Sequence, residues 1–192
     1  KLGLRYEEGR GIERNNVRAA EWYQRAAEQG LADAQFNLGT MYYDGQGVEQ
    51  DYSKAVMWYR KAAGQGDAEA QFNLGVMYYG GQGIEQDYAK AAMWYRRAAE
   101  QGVAAAQFNL GVMYSENQGL ERNYAKAAEW FLRAAEQGYT AAQFNLGLLY
   151  EEGEGVEQDH EEAIKWYRKA AEAGDIDAQS KLELINKTKK GK

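Results

Sequence analysis

Few residues in this chain could carry out a reaction. His160 is the single histidine among 192 residues, and serine occurs only at Ser53, Ser115 and Ser180. None of these serines begins a Ser-x-x-Lys motif, and one imidazole leaves little for a Ser/His/Asp triad. The absence of cysteine rules out disulfides, thiolate catalysis and any cysteine-based zinc or iron–sulfur site. A metal would have to be held by His160 with Glu161 and Glu162. Adjacent acids diverge around the first turn of a helix, so this trio reads as a solvated face. No Gly-x-x-x-x-Gly-Lys-Ser/Thr motif is present, and Gly-x-Gly falls between helices without the strand that a nucleotide fold requires. No catalytic residue, metal or cofactor is therefore expected.

Amides and aromatics are what recur. Asn37, Asn73, Asn109 and Asn145 form one series, and Phe36, Phe72, Phe108 and Phe144 another. Each carboxamide has both donor and acceptor, so the ladder suits the backbone of a bound extended peptide; the alternative is a bond to a neighbouring helix. The phenylalanines are anchors for a partner or packing between adjacent repeats.

These series belong to a repeat that runs along the whole chain. Trp22, Trp58, Trp94, Trp130 and Trp166 are 36 residues apart, as are the Leu-Gly pairs beginning at Leu2, Leu38, Leu74, Leu110 and Leu146. The blocks 38–73 and 74–109 agree at 27 of 36 positions, with no insertion anywhere. The chain reads as a single array over 1–192 with units 2–37, 38–73, 74–109, 110–145 and 146–181.

Two helices must position each unit. Ala34, Leu38, Met41 and Tyr42 fit the helical template and predict a first helix over about 32–44. Gly45 suits the left-handed position after it, where the fourth unit has Asn117, and Val48 pins the turn to the core. Asp51, matched by Asn15, Asp87, Asn123 and Asp159, is an N-cap for a second helix over about 52–64, whose stripe is Ala55, Trp58, Tyr59 and Ala62. Gly66 and its equivalents end that helix. The tryptophans are assigned to the core, and Gly39 with Ala55 and Ala62 lets the helices approach closely. Gln35 and its equivalents read as structural.

Composition agrees. The 31 alanines favour helices, and with no proline the 22 glycines and the asparagines must make the turns. Lys and Arg total 23 against 29 Asp and Glu, a net charge of −6 that argues against a nucleic-acid footprint. No stretch approaches the roughly 18 apolar residues of a membrane span. Lys1 falls inside a unit and no leader is visible, so the chain reads as a fragment or a processed form.

The pattern Leu-Gly-x-x-Tyr-x-x-Gly-x-Gly-Val/Ile/Leu, then Asp/Asn-x-x-Lys-Ala-x-x-Trp-Tyr-x-Lys/Arg-Ala-Ala-x-x-Gly, then Ala-Gln-Phe-Asn, resembles the Sel1-like repeat family over residues 2 to 182. The resemblance implies an all-α, tetratricopeptide-like fold. This is a right-handed α/α superhelical solenoid of about five helix-turn-helix repeats, closed by a capping helix over about 176–186 and followed by a frayed, lysine-rich tail at 187–192. Ser180, Lys181 and Glu183 replace the Phe, Asn and Gly of earlier units, as the polar outer face of a cap requires. The family also implies adaptor roles: in bacteria for envelope assembly, signalling, host-cell interaction and toxin–immunity pairs, in eukaryotes for membrane-protein quality control. Its Helicobacter branch has a cysteine pair per repeat, which is missing here, so neither those disulfides nor their oxidising compartment carries over.

On a wheel of about 100° per residue, Asp33, Phe36, Asn37, Thr40, Tyr43 and Asp44 lie opposite the core stripe, on the side that lines the concave groove of a tetratricopeptide-like stack. Comparing units, position 33 reads Asp33, Glu69, Ala105, Ala141; position 40 reads Thr40, Val76, Val112, Leu148; position 43 reads Tyr43, Tyr79, Ser115, Glu151. The expected function is a non-catalytic bacterial scaffold that binds a partner protein or extended peptide on this face. It is expected to act as a monomer, without nucleic acid, in the periplasm or secreted rather than in the cytoplasm. An immunity or antitoxin role is the alternative. A β-lactamase-type hydrolase, an activity suggested for part of the family, is a further one that lacks its Ser-x-x-Lys motif here.

Overall fold

The computed structural model describes residues 1–190, with side chains as far as Lys187. The regular structure among them is α-helical throughout: α1 Leu2–Glu8, α2 Asn16–Glu28, α3 Ala32–Asp44, α4 Tyr52–Gly64, α5 Ala68–Gly80, α6 Tyr88–Glu100, α7 Ala104–Glu116, α8 Tyr124–Glu136, α9 Thr140–Glu152, α10 His160–Glu172 and α11 Ile176–Lys190. The fold is an all-α solenoid of repeated helix-turn-helix units with a terminal capping helix. The helices group into two compact units, Lys1–Ala98 and Ala99–Lys192, divided within α6.

Local chemistry sets the helix ends where the sequence places them. Asn15 Oδ1 accepts the Arg18 N–H at 3.0 Å, and Asp51 Oδ1 that of Lys54 at 2.9 Å; Asp87, Asn123 and Asp159 repeat the device. The first helices end on a left-handed residue, Gly45 at φ 71° and Asn117 at φ 60°. Asn117 is the one non-glycine with positive φ among the described residues. Its short polar side chain tolerates that conformation. The cap helix differs from expectation by continuing past residue 186 to Lys190. Lys189 stands where Gly45, Gly81, Asn117 and Gly153 terminate the equivalent helices, and lysine has no preference for the left-handed turn. Of the expected tail, Gly191 and Lys192 lie outside the described residues.

In the first unit, Ala19, Ala20, Tyr23 and Ala27 of α2 pack with Ala34, Leu38 and Met41 of α3 and with Trp58 of α4. Trp58 thus inserts between its own helix and the hairpin before it. The tryptophans are not uniformly core residues as expected: Trp22 is 36% exposed and Trp130 half-buried, whereas Trp58 is 4% exposed and Trp94 and Trp166 are buried. In the second unit, Ala163, Tyr167, Ala170 and Ala178 form the core beneath α11, flanked by Phe144, Leu148, Leu182 and Ile185.

Close approach of the helices rests on one glycine per repeat. A Cβ built on Gly39 would stand 2.8 Å from the Tyr59 ring, and one on Gly147 2.6 Å from that of Tyr167. A second glycine, the last of the Gly-x-Gly at Gly47, Gly83 and Gly155, brings the turn onto the backbone of an earlier helix. A Cβ at Gly47 would lie 2.2 Å from the Asn16 carbonyl oxygen, and Gly155 meets Tyr124 in the same way.

Candidate functional site

The exposed side of α3 and α5 in the first unit, and of α7 and α9 in the second, carries the recurrent amides and aromatics. All four asparagines are half-buried. Asn37 Nδ2 donates to the Asp33 carbonyl of its own helix at 2.8 Å, and Asn145 Nδ2 to that of Ala141 at 2.8 Å. Each bond uses one of the two amide hydrogens and leaves Oδ1 without a share in it. The phenylalanines pack sideways. Phe36 and Tyr59 ring centroids are 5.9 Å apart, Phe72 and Tyr95 5.9 Å, Phe108 and Phe131 5.7 Å, and Phe144 and Tyr167 5.6 Å. These separations suit tilted aromatic pairs, so each phenylalanine presents only part of its surface.

The variable positions surround this frame. Thr40 Oγ1 donates to the Phe36 carbonyl at 3.2 Å and receives the Tyr59 hydroxyl at 3.1 Å. Burial pushes the Tyr59 hydroxyl up to about 12, against hydrogen bonds with Thr40 and Asn73 that pull it down. Val76, Val112 and Leu148 take the Thr40 position without a hydroxyl. Tyr43 donates to Gln82 Oε1 at 3.2 Å and stacks edge-on with Tyr52 at 5.3 Å; Tyr79 and Tyr88 make the same ring pair. At the equivalent place Glu151 accepts the Tyr167 hydroxyl at 2.6 Å and the Lys181 ammonium at 2.7 Å. Burial raises the Glu151 carboxyl, but the Lys181 and Tyr167 hydrogen bonds outweigh it and hold the group below the ordinary carboxylate value. Tyr167 is pushed up by burial and by that same carboxylate. Lys181, on the cap, occupies the register of the asparagine ladder.

The serines do not form a nucleophilic site. Ser53, Ser115 and Ser180 hydroxyls donate to the carbonyls of Gly83, Val112 and Ile176. Among the described residues no cluster of three or more acidic or histidine side chains could hold a metal ion. His160 is exposed at the start of α10.

The glutamines proved more informative than their assignment as structural suggested. Gln35, Gln71, Gln107 and Gln143 are buried, and their Nε2 atoms donate to the carbonyls of Ala27, Ala63, Ala99 and Ala135 at 3.0 to 3.2 Å. Gln65 Nε2 donates in turn to Gln35 Oε1 at 2.7 Å and to the Gly30 carbonyl at 2.9 Å, and Gln137 Nε2 reaches Gln107 Oε1 at 2.7 Å. The 36-residue recurrence of both glutamines was the available signal; the 30-residue partnership between them was not.

Comparison with known proteins matches the Sel1 repeat to residues 1–31, 32–67, 68–103, 104–139 and 140–175, a phase that opens at the start of each first helix. Comparison with the curated proteins finds no match. Among solved structures, a protective antigen of uropathogenic Escherichia coli strains with an SLR fold is 45% identical at a TM-score of 0.90, covering 93% of this chain and 38% of its own. A Sel1 repeat protein from Oxalobacter formigenes is 39% identical at a TM-score of 0.84, covering 92% of this chain and 70% of its own. An immunity protein from Pseudomonas aeruginosa is 26% identical at a TM-score of 0.55, covering 90% of this chain and 66% of its own. The chain therefore spans well under half of the E. coli antigen. Proteins built from these repeats are typically non-catalytic scaffolds.

Proposed function

The chain belongs to the Sel1-repeat family, and on that premise we propose that it is a non-catalytic bacterial scaffold that holds a partner protein or extended peptide on the face of its first helices, the concave face of a tetratricopeptide-like stack. The observation that carries this reading is the half-buried asparagine ladder, with at least two members using only one amide hydrogen internally. Around it, positions 33, 40 and 43 change from repeat to repeat while Leu38, Gly39 and Gln35 and their equivalents stay constant. A constant amide row with variable neighbours suits backbone capture plus side-chain selection. Asn37, Asn73, Asn109 and Asn145 supply the first; Thr40, Val76, Val112, Leu148, Tyr43 and Tyr79 supply the second, with the exposed parts of Phe36, Phe72, Phe108 and Phe144 beside them.

The test is capture of a partner by the purified chain, followed by the paired change Asn73→Ala with Asn109→Ala. Weakened capture at an unchanged melting transition supports the reading. Unchanged capture with a large loss of stability overturns it. A periplasmic or secreted location goes with this proposal, supported by the similarity to a protective antigen, and a cleavable leader on the precursor would test it. The similarity to an immunity protein favours one second reading, occlusion of an effector, which protection in co-expression with that effector would reveal.

A further inference from the structure

The outer face of the second helices carries a surface that the proposed groove does not use. In the first unit a cleft of about 450 Å³ opens between α4 and the turn after α5, lined by Ser53, Val56, Met57, Arg60, Lys61 and Ile84. Met57 is 42% exposed, and Met93, at the same position on α6, is 40% exposed. Arg60 Nη2 donates to the Tyr78 hydroxyl at 3.1 Å, and Lys61 Nζ stands 4.2 Å from the centre of the Trp58 ring. Neither cation is ion-paired with a carboxylate among the described residues, and no acid lines the cleft. An apolar floor with two cations on its wall is unexpected on a chain of net charge −6. Arg60 also borders the adjoining cleft, whose lining is of mixed sign, with Glu85, Asp87 and Lys90, the last two paired at 2.9 Å.

The preceding repeat supplies an internal control. Its equivalent cleft, about 300 Å³, is lined by Val17, Ala20, Glu21, Gln24 and Val48. Glutamate stands there in place of Met57 and glutamine in place of Arg60, and Glu129 occupies the Met57 position on α8. The fold therefore accepts polar and acidic residues at these places, and neither Met57 nor Arg60 is required by packing.

We propose that this cleft is a second docking surface, for an acidic protein segment that seats one large apolar side chain among Val56, Met57 and Ile84 and sets flanking carboxylates on Arg60 and Lys61. Charge complementarity selects that occupant. A guanidinium with one neutral acceptor has donors to spare for a carboxylate, and methionine adapts its shape to the inserted group. A basic segment would meet two like charges, and a neutral apolar one would desolvate both without compensation.

Fluorescence anisotropy with the intact chain tests this, using a labelled synthetic peptide with a central leucine–phenylalanine pair flanked by glutamates, and its glutamine and lysine counterparts. The glutamate peptide is expected to bind at least tenfold more tightly than the lysine peptide and to weaken with added salt. The double variant M57E/R60Q, which installs the residues of the preceding repeat, is expected to lose at least tenfold in affinity while its Tm moves by less than about 2 °C. R60Q alone, which leaves the apolar floor and Lys61 intact, is expected to weaken the preference for glutamate without abolishing it. Three outcomes overturn the proposal: no measurable binding of the glutamate peptide, equal binding of all three, or unchanged affinity in the double variant. Loss of binding in N73A/N109A but not in M57E/R60Q also overturns it, by assigning the peptide to the first-helix face.

Discussion

The seams at Gln107 and Gln143 are built from the same residues and finish differently. Gln107 donates to the Ala99 carbonyl and accepts from Gln137. Gln143 donates to the Ala135 carbonyl in the same way, but its buried Oε1 has no partner among the described residues. The reason lies 30 residues on, where Ala173 stands in the register of Gln65 and Gln137. One side chain in the following turn thus determines whether a buried carbonyl oxygen is satisfied. An unmade bond to such a group is costly, which makes the last seam the weaker of the two.

Steric changes shared by both seams should have the largest effect. Gly111→Ala and Gly147→Ala each put a Cβ 2.6 Å from a buried ring, Phe131 or Tyr167. Overpacking of this kind costs about 1–3 kcal/mol, and urea denaturation should show similar losses for the two variants. A loss at one seam only would mean that the rings differ in their freedom to move. Gly3→Ala, whose Cβ would meet Tyr23 at 3.0 Å, should cost less than either.

Removing the amides comes next and separates the seams. Gln107→Leu removes two side-chain hydrogen bonds, to the Ala99 carbonyl and from the Gln137 amide, for a cost of about 2 kcal/mol. Gln143→Leu removes one side-chain hydrogen bond, to the Ala135 carbonyl, together with an unpaired oxygen, so about 1 kcal/mol is expected. Equal losses would refute the asymmetry. In the opposite direction, Ala173→Gln should add about 1 kcal/mol by supplying the missing donor, and a double-mutant cycle with Gln143→Leu should abolish that gain.

The smallest expected effect is electrostatic. The folded Glu151 carboxyl lies below its unfolded value, so its stabilisation is present in full above the unfolded carboxylate range and is lost as pH falls through the folded value. Lys181→Ala removes the ion pair at 2.7 Å, so it should flatten that acid limb of the stability curve while changing stability at neutral pH only slightly. An acid limb unchanged in Lys181→Ala would place its origin elsewhere.

Much of the fold was legible before any coordinates. The bounds of α3 and α4 follow from Asp51, Gly45 and the apolar stripes, because caps and left-handed turns act within three or four residues of the chain. The cap helix runs past the expected residue 186 because Lys189 replaces the left-handed residue that ends the equivalent helices. The candidate site was legible as a face, since residues one helical turn apart share a side. Its bonding was not. That Asn37 turns to its own helix, that Phe36 lies against Tyr59, and that Glu151 gathers Tyr167 and Lys181 all depend on side chains from other helices or on a choice between equally near acceptors.

Period, the ends of α3 and α4, family and the absence of cysteine were determined by the sequence itself, because recurrence and local hydrogen bonding are written in neighbouring residues. The duty of each recurring residue was set by tertiary packing. The first glycine of a Gly-x-Gly ends a helix through its own φ, whereas the last admits a foreign backbone at Asn16 or Tyr124. Gln65 and Ala173 differ by one side chain on the page, yet the consequence falls on an amide 30 residues earlier. Met57 and Arg60 look like ordinary helix residues until α4 packs beside the turn after α5 and leaves them on the rim of an open cleft. Contacts across such distances depend on how whole helices stack, and no local pattern encodes that.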